Sequence, residues 1–483
     1  MEGTKDRWQE DIFVACPLSR LVPDDHILKR VDQVLDLSWL REEVSDCYCP
    51  DNGRPSIDPE AALRLMLAGY LEGVVHDRKL MRRAQTDIAI RWFAGYRLHE
   101  DLPDHSSLTR IRQRWGEERF LSIFRRTVGE CVKAGLVDGE TVHVDATLIR
   151  ADVSWESLVK EHVGQVIEEN SEAAESLGEA ESRPRRRPGR PRTRPAKRKK
   201  RSKTDPDATM ATSSHKRRLE PCFKEHTVVD DKAGVIMDVK VTTGEASESK
   251  ELVAQLDRVE EQTGKKVQVV TADAAYGKSA NYAVLEERKV KAVVVPQREA
   301  GMAQKLPLRR FKYDGKHQIV RCPAGKILRR QGEEPTEKGW IYRARACDCR
   351  QCPLKGRCVS KTRSVRTVLI VDGYEALLRA RRARNRGWDE ERKEIYRRHQ
   401  WWVEGRHGEA KIQHGLARAV RRGRWNVAIQ AYLTAAVINL KRLAAALAGN
   451  PRLQPALATL TRLIDGFCRI LGLNPAAVCA AAA

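Results

Sequence analysis

The first 135 residues show the spacing of apolar positions that is typical of short amphipathic helices. Asp58 is placed to cap a helix whose first turn contains Pro59, and the apolar run 61–67 follows directly. The segment 103–114 has one basic face, which is compatible with a DNA-reading helix or with a solvated surface. We predict an all-α N-terminal domain for DNA binding or dimerisation over residues 1–135, with further helices over 80–84, 88–94, 108–115 and 120–134.

After this region the pattern changes to the alternation of apolar and polar residues that is typical of half-buried strands. The segment 141–147 alternates in this way, and 223–229 and 235–241 form two strands of a hairpin through 230–234. Helices and strands then alternate, which predicts a mixed α/β sheet covered by helices. The predicted helices are 247–262 and 279–288, and the predicted strands are 267–273 and 290–296.

An insertion of biased composition separates the first strand from the hairpin. Residues 156–182 contain eight acidic side chains and one Lys, and 183–203 contain thirteen Lys or Arg and no acid. Such a composition cannot form a core, so we predict a disordered insertion over 155–210. The run 187–192, with Arg190, is similar to a minor-groove AT-hook, but we favour a phosphate-binding arm without sequence preference.

The net charge of the chain indicates what kind of partner it binds. There are 89 Lys and Arg against 66 Asp and Glu, a formal net charge of +23. The arm 183–203 and the segment 379–424, whose net charge is +9, carry almost all of this excess. A charge of this size indicates a polyanionic partner, with nucleic acid favoured over an anionic membrane.

Several features indicate an intracellular protein. No apolar run follows the N-terminal charges, so no secretory signal is expected. The apolar stretch 427–447 contains Gln430, Asn439, Lys441 and Arg442, which favours a buried amphipathic helix over a membrane span. Twelve cysteines in such a chain are expected to be reduced thiols or metal ligands.

Two aspartates occupy similar places on two predicted strands. Asp145 shares a strand face with His143 and Thr147, and Asp273 ends a strand just before a loop with Gly277. Each alone is more often a cap or turn residue, but active groups gather at strand ends in α/β sheets. Carboxylates that converge repel each other and stay ionised only around cations, which predicts a metal site.

A third acid lies among basic and aromatic residues. Glu404 has Gln400 and Gly408 four residues away and only His407 three residues on, which weakens its interpretation as an ordinary surface ion-pair residue. Arginines bind phosphates and the nearby tryptophans can stack on bases, so an isolated acid here indicates metal chemistry on a bound nucleic acid. Glu409 is the rival third carboxylate.

These segments resemble the DDE transposases of bacterial insertion sequences. The strand 142–147 is similar to the family's first-Asp strand, and 270–277 is similar to its second-Asp strand end, where Asp-x-x-Tyr is usual. Glu404, with Lys411 seven residues on and Tyr396 before it, resembles the family's Tyr…Arg…Glu…Lys signature. The resemblance covers roughly residues 10–445.

The resemblance implies a ribonuclease-H-like catalytic domain over 136–300 and 372–447. It also implies two-metal phosphoryl transfer with Mg²⁺ or Mn²⁺ held by Asp145, Asp273 and Glu404. The implied substrate is double-stranded DNA, both transposon terminal inverted repeats and target, bound by a homodimer in the bacterial cytoplasm at the nucleoid, with no membrane contact. Residues expected to hold phosphates are Tyr396, Arg398, Lys411 and Arg190.

One position departs from the family pattern. Three residues after the Tyr, the signature's usual Arg is His399 here, flanked by Arg397 and Arg398. This departure affects the assignment of the phosphate contact and leaves the acid unaffected.

The long interval between Asp273 and Glu404 is expected to hold a β-rich insertion over 301–371, as in family members of the same branch. The spacing of Cys322, Cys349, Cys352 and Cys358 is compatible with a structural zinc site of four thiolates. Cys347 could replace Cys349 in this set. Free thiols are the alternative.

Two other functions remain open at this level. A metal-dependent nuclease would use the same acids without rejoining ends, and a transposase-derived DNA-binding protein would have no catalysis. The tail 448–483 indicates no more than a short helix over 457–470.

Overall fold

The computed structural model describes residues 16–49, 56–154, 158–160, 200–211, 219–297, 306–334, 338–360 and 363–448. The chain divides into two compact units. The first comprises Met1–Thr127, Ala410–Leu416 and Tyr432–Ala483, and the second comprises Val128–Glu409 and Ala417–Ala431. Arg190 with most of the basic arm, most of the acidic segment, and the tail after residue 448 lie outside the described residues.

The N-terminal part of the first unit is helical, as predicted. Asp58 caps α4, because its Oδ1 accepts hydrogen bonds from the N–H groups of Glu60 (2.7 Å) and Ala61 (3.2 Å). The helices are α1 Leu18–Leu21, α2 Ile27–Asp32, α3 Leu40–Glu43, α4 Pro59–Leu71, α5 Asp77–Thr86, α6 Ile88–Phe93 and α7 His105–Lys133, with a 3₁₀ turn at Ser45–Cys47.

Helix α7 joins two helices that the sequence predicts separately. Gly116 interrupts it with a left-handed, extended conformation (φ 72°, ψ 177°) that favours glycine. The basic face predicted near its start is partly internal, because Arg112 is buried and donates to Asp77 at 2.8 Å. Arg112 therefore serves the core of the first unit and is not a base-reading residue.

The second unit contains the strands β1 Thr141–Arg150, β2 Leu158–Lys160, β3 Lys200–Ser202, β4 Thr209–Ala211, β5 Glu220–Asp230, β6 Ile236–Thr243, β7 Val269–Ala272, β8 Lys291–Val294, β9 Lys312–Asp314, β10 Ile319–Arg321, β11 Ile327–Glu334, β12 Gly339–Arg343 and β13 Thr367–Val371. Further helices are α8 Leu252–Thr263, α9 Ser279–Glu287, α10 Ala346–Arg350, α11 Lys355–Cys358, α12 Tyr374–Arg386, α13 Glu390–Ile412 and α14 Arg424–Ala448, with 3₁₀ turns at Glu248–Lys250 and Leu308–Arg310.

The larger sheet has the order β4-β5-β1-β7-β8, and β6 also pairs with β5. Strand β1 is antiparallel to β5 and parallel to β7, and β7 is parallel to β8. A hairpin of antiparallel strands followed by parallel strands is the ribonuclease-H-like arrangement, so the predicted fold class is confirmed. The predicted β-rich insertion forms a second sheet of order β13-β12-β11-β10-β9.

Part of the segment predicted as disordered is ordered in the structure. Residues 200–211 supply β3 and β4, and β4 pairs with the start of β5. Asp205 is 1% exposed and accepts a hydrogen bond from the N–H of Gly423 at 3.3 Å. Backbone pairing gives these residues the order that their composition alone would not supply.

The first unit also includes C-terminal segments that the sequence assigned to the catalytic domain. The rings of Phe124 and Tyr432 stack at 6.2 Å, and His414 Nδ1 donates to the carbonyl of Tyr70 at 2.7 Å. Helix α14 is long and apolar enough to cross a membrane, but 67% of its most apolar window is buried inside the protein. That burial is typical of the core helix that the polar residues within it predict.

The turn between β5 and β6 requires glycine at position 234. Its φ is 65°, and a Cβ there would lie 2.3 Å from ring carbons of Trp402 on α13. Gly264 has a similar φ of 68° but no neighbouring atom within 4 Å of such a Cβ. A substitution at Gly264 therefore tests backbone strain alone, whereas a substitution at Gly234 tests backbone strain together with displacement of α13.

We expect Gly264→Ala to lower the free energy of unfolding by about 1–2 kcal/mol, through left-handed strain alone. Gly234→Ala should cost on the order of 2 kcal/mol more, because Trp402 must move. Urea denaturation of both variants measures this difference. Equal losses in the two variants would show that Trp402 does not hold α13 against the turn.

Candidate active site

The strand register brings the two predicted aspartates together. Asp145 lies on β1 opposite Thr227 of β5, and Val144 of β1 is beside Ala272 of β7 in the parallel register. Asp273 follows Ala272, so it leaves the end of β7 next to Asp145. Asp145 therefore lies in the middle of β1, which continues to Arg150, whereas Asp273 directly follows the carboxyl end of β7, where active groups gather in α/β sheets.

Their electrostatic environment is unfavourable for negative charge. Burial is the main cause that raises the pKa of Asp145, and the charges of Asp273, Glu248 and Glu404 raise it further. A hydrogen bond from the Ala146 N–H lowers it, and the resulting pKa is about 7. Burial also raises the pKa of Asp273, although the N–H of Ala275 donates to it at 2.8 Å. The structure therefore concentrates acids where they repel each other.

The third predicted acid belongs to this group. Glu404 lies on an exposed face of α13, within electrostatic range of Asp145. Glu409, its rival, forms an ion pair with Arg406 at 2.8 Å. Of the two candidates, Glu404 is the one whose charge acts on Asp145, whereas Glu409 is paired with Arg406.

A chain of hydrogen bonds, the α13 anchor, fastens this helix to the sheet. The guanidinium of Arg398 donates twice to Asp231, each at 2.8 Å. His143 bonds Asp231 at 2.9 Å through Nε2 and Thr271 at 2.7 Å through Nδ1, and Thr271 also bonds His399 Nδ1 at 2.9 Å.

One proton arrangement satisfies every bond of the α13 anchor. His143 donates from Nε2 to Asp231 and accepts the Thr271 hydroxyl proton at Nδ1, while Thr271 accepts from His399; this arrangement is assigned from the bonding pattern. Burial and His143 lower the pKa of His399 to about 3, so its ring is neutral. Burial alone would raise the pKa of Asp231, but hydrogen bonds from His143 and Arg398 lower this pKa to about 2.

The predicted phosphate-binding residues have different surroundings. Tyr396 is half-buried, stacks on His399 with ring centroids 5.7 Å apart, and feels the charges of both aspartates. Arg398 is 37% exposed but engaged with Asp231, and Lys411 lies in the last turn of α13 within the first unit. Contact of these residues with DNA stays a prediction.

The sequence analysis missed an acid and its partner. Glu248 adds charge to Asp145 and Asp273, and its carboxylate pairs with Lys224 of β5 at 2.9 Å. The segment 247–262 was predicted as one helix, whereas α8 begins at Leu252 and a 3₁₀ turn holds Glu248. In a sequence, an acid near the start of a helix looks the same whether it belongs to a functional site or only to the first helical turn.

The donor chemistry of these acids fits a divalent cation. Hard oxygen ligands are what Mg²⁺ prefers, and carboxylates that raise one another's pKa gain most from a bound cation. The Tyr276 hydroxyl is buried and has no hydrogen-bond partner, and its pKa is raised well above the ordinary value by burial and by these acids. In the described part of the chain, no three His, Cys, Asp or Glu side chains are already arranged to hold a metal ion.

The predicted cysteine ligands also lie together. Cys322, Cys349, Cys352 and Cys358 line one cavity of about 20 Å³, whereas Cys347 is exposed and does not line it.

Comparison with known proteins agrees with the motifs. Residues 17–114 match the family described as "Transposase domain (DUF772)", and residues 321–444, which include Glu404, match "Transposase DDE domain". These two matches confirm the resemblance to DDE transposases that the sequence indicated. No curated protein matches the chain.

A solved structure, "Mos1 transposase paired-end complex with left transposon end", is similar at 10% identity over 53% of this chain. The similarity covers 65% of that chain, and the TM-score is 0.16.

The burial of Asp145 and the repulsion from its neighbouring acids predict that removing its charge stabilises the fold in a pH-dependent way. Asp145 has a folded pKa of about 7 against an ordinary 3.8, so its ionisation opposes folding increasingly as the pH rises between these values. In chelator, Asp145→Asn should raise the free energy of unfolding by on the order of 2 kcal/mol at about pH 8.

This gain should shrink towards about pH 4, where the wild-type carboxyl is protonated. Urea denaturation across this range measures it, with the exposed Glu261→Gln as control. A gain independent of pH would contradict the raised pKa of Asp145.

Proposed function

We propose that the chain is a DNA transposase that cuts transposon ends and joins them to target DNA. The observation that carries this proposal is that Asp145 lies beside the end of β7, which Asp273 follows, and that the charges of Asp273 and Glu404 both act on Asp145. The transposase family matches over residues 17–114 and 321–444 support it. The net charge of +23 is consistent with a DNA substrate.

The three acids would hold Mg²⁺ or Mn²⁺. When bound, the cations would lower the pKa of the attacking hydroxyl and neutralise charge on the leaving oxygen. The charges of both other acids act on Asp145, so it would be the ligand shared between them. The Tyr276 hydroxyl, which has no acceptor, would donate a hydrogen bond to a group bound in the site.

The reaction has two displacements at phosphorus. In the first, water attacks a phosphodiester at the transposon end, the P–O bond to the 3′ oxygen breaks, and a 3′-hydroxyl is released. In the second, this hydroxyl attacks a target phosphodiester, forming a new P–O bond and releasing a target 3′-hydroxyl. Both need an in-line phosphate at the same acids, so one site serves cutting and joining.

Basic residues would position the DNA. Tyr396 lies beside the acids, and Lys411 and the arm with Arg190 would supply phosphate contacts. Arg398 neutralises Asp231 in the free protein, so its first role is to hold α13 in place. We propose that a homodimer binds two transposon ends together.

The decisive experiment compares Glu404→Gln with Glu409→Gln on DNA carrying the inverted repeats that flank the coding region. Glu404→Gln should reduce Mg²⁺-dependent cleavage by about a thousandfold or more while DNA binding stays near the wild-type level. Glu409→Gln should retain cleavage once its folding is verified. Wild-type-level cleavage by Glu404→Gln would exclude the proposed site.

The same assay separates the other functions. A nuclease would cut the ends but produce no joined product with target DNA. A DNA-binding protein without catalysis would retain the DNA in Mg²⁺ or Mn²⁺ with no cleavage in the wild type.

Glu248 should affect cation affinity without contacting the DNA. It adds negative charge to both aspartates and holds Lys224, so Glu248→Gln should weaken Mg²⁺ binding about tenfold. Titration of Mg²⁺-dependent thermal stabilisation measures this, with Glu261→Gln as the control on α8. Unchanged Mg²⁺ affinity would show that Glu248 does not contribute to the site.

A further inference from the structure

The small sheet β9–β13 and its two short helices form a module with little apolar core of its own. Helices α10 and α11 have only five and four residues, too few to be stable without tertiary contacts. Modules of this kind are commonly held together by a metal or by disulfides. The buried apolar side chains of the module include Phe311, Val320, Leu328, Tyr342, Val368 and Ile370.

Four thiols from separate elements meet beside this sheet. Cys322 follows β10, Cys349 lies in α10, Cys352 comes just after it, and Cys358 ends α11. All four line the same cavity of about 20 Å³, which can accommodate one small occupant. Cys349 and Cys358 are buried, at 9% and 8% exposure.

The backbone at two of these cysteines forms matching turns. Cys322 and Cys352 are each followed by proline. The Gly325 N–H donates to the Cys322 carbonyl at 2.9 Å, and the Lys355 N–H donates to the Cys352 carbonyl at 3.0 Å. Each turn therefore fixes the backbone of its cysteine beside the cavity, while the side chain can still rotate.

The charge around the cavity suits bound thiolates. Lys326, Lys355 and Arg366 line it, with Asp348 as the acid among its lining residues. Four thiolates around Zn²⁺ leave a net charge of −2, which these cations offset.

Arg366 provides a second, independent observation. Its Nη1 donates to the Cys358 carbonyl at 3.1 Å, which points the guanidinium at this cluster. Its Nε is buried and has no hydrogen-bond partner. A buried donor without an acceptor is costly, and a thiolate sulfur would accept from it.

We infer that Cys322, Cys349, Cys352 and Cys358 bind one structural zinc ion that holds the module together. Among the described residues these thiols are not already arranged as a ligand group, so binding requires rotation of their side chains within the shared cavity. Cys347 is excluded as a ligand because it is exposed and outside the cavity. This inference does not depend on the acids or on catalysis.

The test compares Cys349→Ser with Cys347→Ser in the full-length chain. After removal of free metal, wild-type protein and Cys347→Ser should each retain about one zinc ion per chain by elemental analysis, and Cys349→Ser should retain none. Cobalt substitution should give the intense visible absorption of tetrahedral thiolate coordination in the first two proteins only.

A second measurement needs no variant and remains informative if Cys349→Ser misfolds. In zinc-loaded wild type, alkylation followed by mass spectrometry should modify Cys347 and leave the four cavity thiols unmodified until chelator is added. A zinc-free chain after growth with zinc, a disulfide among the four cysteines, or equal zinc loss in both variants would overturn the inference.

Discussion

The α13 anchor is the interaction on which the candidate site depends. Arg398, Asp231, His143, Thr271 and His399 form a continuous path from the helix through the β5–β6 turn to β1 and β7. Because most of the path is buried, each bond is strong and each missing partner would be costly. Glu404 is exposed, so its position near Asp145 is set by Arg398 and His399, which lie between one and two turns earlier on the same helix.

The carboxyl groups of Asp231 and Asp145 have opposite effects on stability, one structural and one suited to chemistry. Asp231 has cationic and hydrogen-bonding partners that lower its pKa to about 2, so its charge stabilises the native state. Asp145 is buried near other acids, with His407 Nδ1 at 3.7 Å from its carboxylate; its pKa is about 7, and its charge opposes folding. An unfavourable cluster of this kind persists only where the surrounding structure is firmly held, and such clusters mark functional sites.

Much of this arrangement could be predicted from the sequence, since local patterns set it. Period-two alternation located β1, β5 and β6, and the capping side chain of Asp58 located α4. Contacts between distant residues could not be predicted in the same way. Arg398 and Asp231 are 167 residues apart, so the sequence alone suggested a phosphate contact for an arginine that the fold pairs internally. Glu248 and edge strand β4 were missed because long-range pairing, which leaves no periodic signal, determines their roles.

The position of the small sheet between β8 and α13 has a consequence for synthesis. The third acid follows the second by 131 residues, so the ribosome makes Glu404 roughly 7 to 26 s after Asp273. Throughout that interval a nascent chain has two acids and lacks both the third and the helix that carries it. Chains that terminate within the small sheet would therefore keep the N-terminal helices and the paired aspartates without a complete set of acids.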